Sequence, residues 1–521
     1  MNRPIRTLLA GTVALLGLGF SGCTDPAVAP VSTVSEENIF KDPASYLAFL
    51  AKIYAGFSTT GQQGPAGNKD IQTISDEGFS QYMRLYWEHQ ELPTDEAVLA
   101  WGDGAVQEFN GQVWGSSNDF LGAMFARIYL EVTWTNEFLN QTSDSKLSSR
   151  GVSPALKTQI QQYRAEARFL RALAYWHGVD LFGPIPIVTV NNPTPPKQNT
   201  RQEVYDFIVS ELTAIKPDLP LAGPGTYGRA TQEAASMLLA KVYMNAEVYT
   251  GTPHYDLAMA ELNNVISGPF SLDPSYAHLF QADNNTSPEI IFPIVQDGIH
   301  SKSYGGTTFI IHASCGNQMD PAAYGVDGCW WGLRLKPEAY NRSAADPRGS
   351  FFYTNGQSVA ISSLTDFSQG VAAPKFTNLK SGGGQGSDAA FPDTDFPMFR
   401  LGDAYLMYAE CFLRGGGGTQ QQALDYVNAL RERAYGDTTG NITAGQLTLP
   451  FILDERGREL LWEGHRRTDL IRFGEFTGGS YIWSWKGNTQ AGTATQAYLD
   501  LYPIPATQLS ANPNLTQNPG Y

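Results

Sequence analysis

The sequence predicts a mainly α fold, a scaffold of paired helices in tetratricopeptide-like hairpins that carries a large loop-rich region with a few short strands. Three observations predict it. Apolar residues recur at helical spacing over residues 36–56, 117–140, 155–177, 201–215, 231–249, 255–267, 401–414, 419–435 and 451–464. Alanines stand close together in "ATQEAASMLLAKVYMNAEVY" and in "YDLAMAELNNVI" after it, where small residues let a paired helix approach. Between 270 and 400, Gly, Pro, Asn and Ser interrupt short apolar runs such as "EIIFPIV" and "TTFIIHA", which read as loops and a few strands.

The N-terminus comes first along the chain. Arg3 and Arg6 precede the apolar run Leu8 to Phe20, shorter than the roughly 20 residues that span a bilayer, so the segment reads as an export signal. It ends in "FSGCTD", which resembles a bacterial lipoprotein signal with Cys23 as the lipidated residue; Phe20 stands where leucine is usual. Residues 1–22 are then the signal peptide and 23–34 a tether, and 35–521 form one domain. Its helical scaffold covers about 35–270 and 400–475, its loop-rich insertion about 271–399 and its C-terminal segment 476–521.

Composition limits the partners. With 42% hydrophobic residues the chain can bury a large core, and its formal net charge of −16 repels phosphate backbones, which excludes a nucleic-acid role. The aromatic count is high, with 10 Trp, 25 Tyr and 27 Phe, and such rings also make flat stacking platforms.

The stretch "RAEARFLRALAYWHGVDLFGPIPIV" begins as a mostly buried helix. Gly178 offers it an exit, Gly183, Pro184 and Pro186 forbid continuation, and Ile185, Ile187 and Val190 anchor the extended run, a structural clasp. His177 with Asp180 has no placed nucleophile beside it. Cys315 and Cys329 bracket the turn-rich "GNQMDPAAYGVDG", which suits a local disulfide, while Cys411 lies on a helical pattern as a buried thiol.

In "DERGRELLWEGHRRTDLIRFG", Asp454 suits an N-cap. Glu455 with Arg458, and Glu463 with Arg466 or Arg467, pair along a helix. The same charges could instead form a carboxylate site for glycoside hydrolysis. The sequence holds no HExxH, GxSxG, P-loop lysine or EF-hand spacing, so neither cofactor nor metal is expected.

Four blocks in order, "RAEARFLRALAYWHGVDLFGPIPIV", "RLGDAYLMYAECFLRGG", "ILDERGRELLWEGHRRTDLIRFGEF" and the terminal "YPIPATQLSANPNLTQNPGY", resemble the signature blocks of the SusD/RagB family of surface nutrient-binding lipoproteins. Gly457 stands where alanine is common and Thr468 where an aromatic is common. The resemblance implies a helical scaffold that caps a SusC-like TonB-dependent β-barrel and binds glycan at the outer membrane, facing outward. The charged block is then architectural and the protein no enzyme. Ligand contacts in the family lie in regions matching two stretches here: "DEGFSQYMRLYWEHQELPTDEAVLAWGDG", with Asp76, Tyr82, Arg84, Trp87 and Trp101, and "GVDGCWWGLR", with Trp330, Trp331 and Arg334. Trp114 and Trp134 are expected in the core. The rival functions are an exported lipoprotein hydrolase and a repeat scaffold of the envelope that binds no small ligand.

Overall fold

The computed structural model describes residues 36–74 and 76–521. The signal, the tether and Cys23 lie outside them. Helices dominate, with two small two-stranded sheets among the described residues.

The helices stack in sequence order. Asp119–Gln141 packs on Pro154–Phe182, which packs on Arg201–Ile215; Gln232–Met244 packs on Tyr255–Ile266. Tyr255–Ile266 then packs directly on Leu401–Leu413, which supports Gln420–Tyr435 and Leu449–Glu459. Small residues make this closeness possible: Ala234, Ala235, Ala240, Ala258, Ala404, Ala409 and Ala423 are fully buried at the contacts. Residues 267–400 leave the stack and return to it. Serine and threonine caps set the helix starts, with the Ser153 side chain accepting from the Leu156 N–H and Thr200 and Glu203 forming a capping box.

Several elements differ from the sequence reading. The first expected helix is broken by Pro43 into Glu36–Ile39 and Ala44–Ala55, and 231–249 is likewise two pieces, Gln232–Met244 and Ala246–Thr250. The "TTFIIHA" run is the helix Gly306–Ala313 and not a strand: it is buried on every side, so it shows no amphipathic period to betray it. "EIIFPIV" does contribute the strand β2 (Ile290–Ile294), paired antiparallel with β4 (Phe396–Arg400).

The helix from Pro154 passes through Gly178 and ends at Phe182. Gly178 is no exit; a Cβ there would stand 2.6 Å from Ile185 Cδ1, so the glycine lets the extended run fold back against its own helix. Gly183 makes the turn at φ +72°. The clasp then closes through the Tyr175 hydroxyl, which accepts from the Val188 N–H at 2.7 Å, and through the Tyr129 hydroxyl, which donates to the Pro186 carbonyl at 2.7 Å. Val190 is 72% exposed and anchors nothing.

Trp114 is in the core, whereas Trp134 is half-buried beneath the Lys52 ammonium. The charged block is two helices, Leu449–Glu459 and Arg466–Arg472, separated by a turn with Trp462 and Gly464 at positive φ. Thr448 caps the first, and Asp454 lies inside it. Glu455 bonds Arg458 as expected, at 2.9 Å. Glu463 instead pairs with Arg400 and Lys375, Arg466 with Asp95, and Arg467 with Asp180.

Candidate ligand-binding site

A second small sheet assembles the candidate site. Strand β1 (Ala97–Leu99) pairs antiparallel with β3 (Leu333–Leu335), Leu99 opposite Leu333, and the pairing continues as the Ala100 N–H donates to the Gly332 carbonyl at 2.9 Å. The next residue outward is Trp101, whose indole N–H donates to the Trp330 carbonyl at 2.9 Å. Register therefore brings together two tryptophans from distant parts of the chain.

Their rings form a shelf. Trp101 and Trp330 stand 6.4 Å apart between centroids, Tyr304 lies 6.3 Å beyond Trp330, and Phe391 lies 5.4 Å beyond Tyr304. Trp101, Trp330 and Phe391 are half-buried and Tyr304 is 41% exposed, so each is fixed on one side and open on the other. Beneath Trp330 the His312 ring stacks at 4.6 Å and 21°, and beneath Trp101 lies Phe309.

Arg84 is buried behind the shelf and braces it. Its guanidinium carbon is 5.2 Å from the Trp101 centroid and 4.5 Å from that of Phe309, while Nε donates to Glu88 at 2.9 Å and Nη1 to the Gly78 carbonyl at 3.1 Å. Glu88 is fully buried; desolvation outweighs Arg84 and pushes its pKa up to about 7. Asp76 is exposed in the loop before this helix, and one carboxylate oxygen accepts from the Gly78 N–H at 2.7 Å.

Four of the residues proposed from sequence stand elsewhere. Trp87 is fully buried, its indole N–H donating to the Trp462 carbonyl at 2.9 Å. Tyr82 is fully buried, its hydroxyl 2.9 Å from His177 Nδ1, because its helix, Tyr82–Glu91, lies inside the fold and not along a surface loop. Arg334 is also fully buried. It sits in β3 opposite Val98 and spends its guanidinium on the carbonyls of Gln369, Gly332, Leu364 and Asp366, and burial lowers its pKa to about 9. None of the three presents an atom to a surface ligand. Trp331 is 51% exposed, but its ring lies over Phe367 at 6.2 Å, apart from the shelf contacts.

Sequence reasoning missed Tyr304, Phe391 and Glu88. The first two come from turn-rich loops with no period to mark them, and Glu88 was legible only as one charge among several.

The charged block offers no acid–base pair. Burial opposes ionisation of Glu459, yet Arg433, Arg400 and Arg348 hold its carboxyl well below the usual range; Arg400 and Lys375 do the same for Glu463. A general acid needs the opposite shift. Asp180 is occupied by Tyr249 and Arg467, and His177 is kept neutral by burial. Among the described residues, no group of His, Cys, Asp and Glu is arranged to hold a metal ion, and no helix is long and apolar enough to cross a membrane.

Comparison with known proteins gives one answer. The pattern described as SusD family matches residues 321–521, and the one described as starch-binding, associating with outer membrane, matches residues 70–244. Starch-binding protein SusD of Bacteroides thetaiotaomicron is 32% identical over 98% of each chain, and SusD-like protein P2 of Formosa agariphila is 24% identical over 98% of this chain and 99% of its own. In fold, surface glycan-binding protein A from Bacteroides fluxus superposes with a TM-score of 0.71 at 21% identity, covering 92% of this chain and 99% of that one. Surface glycan-binding protein A from Bacteroides thetaiotaomicron, in complex with laminarihexaose, gives 0.68 at 20% identity over 91% and 99%. With the helical stack, the loop-borne shelf and an end-to-end match to SusD, the chain belongs to the SusD family.

Proposed function

We propose that this protein is a lipid-anchored glycan-binding subunit on the outer face of the outer membrane, which takes oligosaccharide or polysaccharide onto the aromatic shelf and passes it to a TonB-dependent β-barrel partner. The shelf carries the reading. A sugar ring offers a C–H face that packs on Trp or Tyr and hydroxyls that seek charged partners; Trp101, Trp330 and Tyr304 supply the rings, and the exposed Asp76 carboxylate lies in the loop that packs on Tyr304 through Gly78. Trp331 extends the surface as an outlying contact. The anchor rests on "FSGCTD" with Cys23 as its acceptor. The buried carboxylates of the charged block, Glu455, Glu459, Glu463 and Asp469, are engaged by guanidinium and ammonium groups, which supports binding without turnover.

The names of the relatives choose the first ligands, maltoheptaose for the starch-binding relative and laminarihexaose for the glycan-binding fold neighbour. Calorimetry should find micromolar-to-millimolar binding of at least one, and prolonged incubation should release no shorter products. A folded Trp101→Ala, Trp330→Ala variant that binds as well as the wild type would refute the site. Protein purified from membranes in mild detergent should bring down a β-barrel; its absence would refute the transporter partnership. Cys23→Ala should abolish fatty-acid labelling.

A further inference from the structure

Trp330 follows Cys329 directly, and that position matters more than its place in the sheet. Residues 330–332 run beside the end of the Gly306–Ala313 helix: Trp330 N–H donates to the His312 carbonyl at 2.8 Å, Trp331 N–H to Cys315 at 2.9 Å, and Gly332 N–H to Ala313 at 2.8 Å. Between these partners the chain makes an excursion through Asn317 and Gly325, both at positive φ, with only the short turn Pro321–Tyr324 as regular structure. The Cys315–Cys329 bond, 14 positions apart and 4.8 Å between Cα atoms, closes that excursion at its base. Trp330 is the first residue beyond the closure.

The packing around the bond is separate from the main core. Cys315 belongs to a small cluster with Ala100, Met319, Phe367 and Ala372, flanked by Tyr324, Cys329 and Tyr353, and the helical stack contributes nothing to it. His312 bridges the two parts of the fixture: its Nδ1 meets the Gly328 carbonyl at 2.7 Å, one residue before Cys329, while its ring supports the Trp330 indole. Burial lowers the His312 pKa, so the ring stays neutral beneath the shelf.

We infer that the Cys315–Cys329 disulfide is a positioning device for the shelf, so that ligand capture requires it to be oxidised while the helical scaffold does not. The inference rests on the glycan-binding reading. Ligand affinity depends on the ring being held before the ligand arrives, and a released loop would have to be ordered at each binding event. A dithiol reductant supplies two electrons and two protons, breaks the S–S bond and leaves two thiols. The Trp330 backbone keeps its hydrogen bonds, but the loop that braces it becomes free.

The test uses the purified full chain with maltoheptaose and laminarihexaose. After dithiothreitol, alkylation in denaturant should count two further thiols, affinity should fall about tenfold or more as preorganisation is lost, and the near-ultraviolet tryptophan dichroism should change. Far-ultraviolet dichroism should not, and reoxidation should restore affinity. The Cys315→Ala, Cys329→Ala variant should bind at the reduced level and ignore reductant. Affinity within about twofold of the oxidised value once both thiols have appeared would overturn the inference. So would loss of helical structure on reduction, which would place the bond in the scaffold. If neither glycan binds the oxidised protein, the functional reading fails by itself, and the tryptophan band still decides whether the bond positions the ring.

Discussion

The charge network around Arg400 and the shelf around Trp330 both join distant parts of the chain, and they do so with opposite economies of bonding. Arg400 reaches Glu289, Glu459 and Glu463, and Arg348 reaches Asp346, Glu455 and Glu459, all nearly inaccessible to water. No carboxylate there is left to act on a ligand. On the shelf the rings are braced from beneath and through backbone groups, and they stay only half-buried. Charge concentration marks where this molecule is locked together; incomplete burial of aromatic rings marks where it can receive something.

The comparison breaks most visibly at Arg400. Arg400→Ala leaves Glu289, Glu459 and Glu463 buried with too few partners and should cost about 3–5 kcal/mol in unfolding by denaturant. If the variant unfolds no more easily than a shelf variant, the network is not the lock described.

Glu88 is a buried carboxylate behind the shelf, paired with Arg84 alone among the cations of the described residues. Its folded pKa, raised to about 7, exceeds the ordinary 4.5 of a solvated glutamate, so the stability tied to its proton is full below pH 4.5 and is lost as pH rises through 7. Glu88→Gln feels no such loss. Relative to the variant, the wild type should lose about 3 kcal/mol of unfolding free energy between pH 4 and 8. A difference that does not vary with pH would show the carboxyl to be ordinary.

Trp330→Ala should weaken glycan binding by about 2 kcal/mol in calorimetry. Its unfolding midpoint should stay near that of the wild type, because the ring is only partly buried against the margin of the core.

The smallest effect sharpens the map. Trp331→Ala should change affinity by less than about 0.5 kcal/mol, as expected of a contact at the rim. A loss equal to that of Trp330→Ala would move the ligand path towards Phe367.

Helical pairing was legible because it is local: Ala234, Ala235 and Ala258 announce close contacts by their spacing, and "RAEARFLRALAYWHG" its buried helix. Trp101 and Trp330 were legible as candidates by composition. Their meeting was not, since it depends on the three-residue pairing of β1 with β3, and so short a strand carries no period. Tyr82 and Arg334 misled for the same reason. Both neighbour shelf residues in sequence, but the Tyr82 helix turns its phenol inward, and strand alternation sends Arg334 beneath the sheet. Glu463 was assigned to Arg466 because i, i+3 spacing assumes an unbroken helix; Trp462 and Gly464 break it, and partners from elsewhere in the chain take the charge.

The direct packing of Tyr255–Ile266 on Leu401–Leu413 has a consequence for redesign. The two ends of the intervening 267–400 segment emerge from neighbouring helices, so that segment resembles a cassette plugged into a closed frame. A cassette from a relative with other ligand preferences should be accepted by the frame, but recognition would transfer only if the 97–101 segment travelled with it. The Trp101 side of the shelf belongs to the frame, and a chimera lacking its matching strand would be a well-folded protein with half a binding surface.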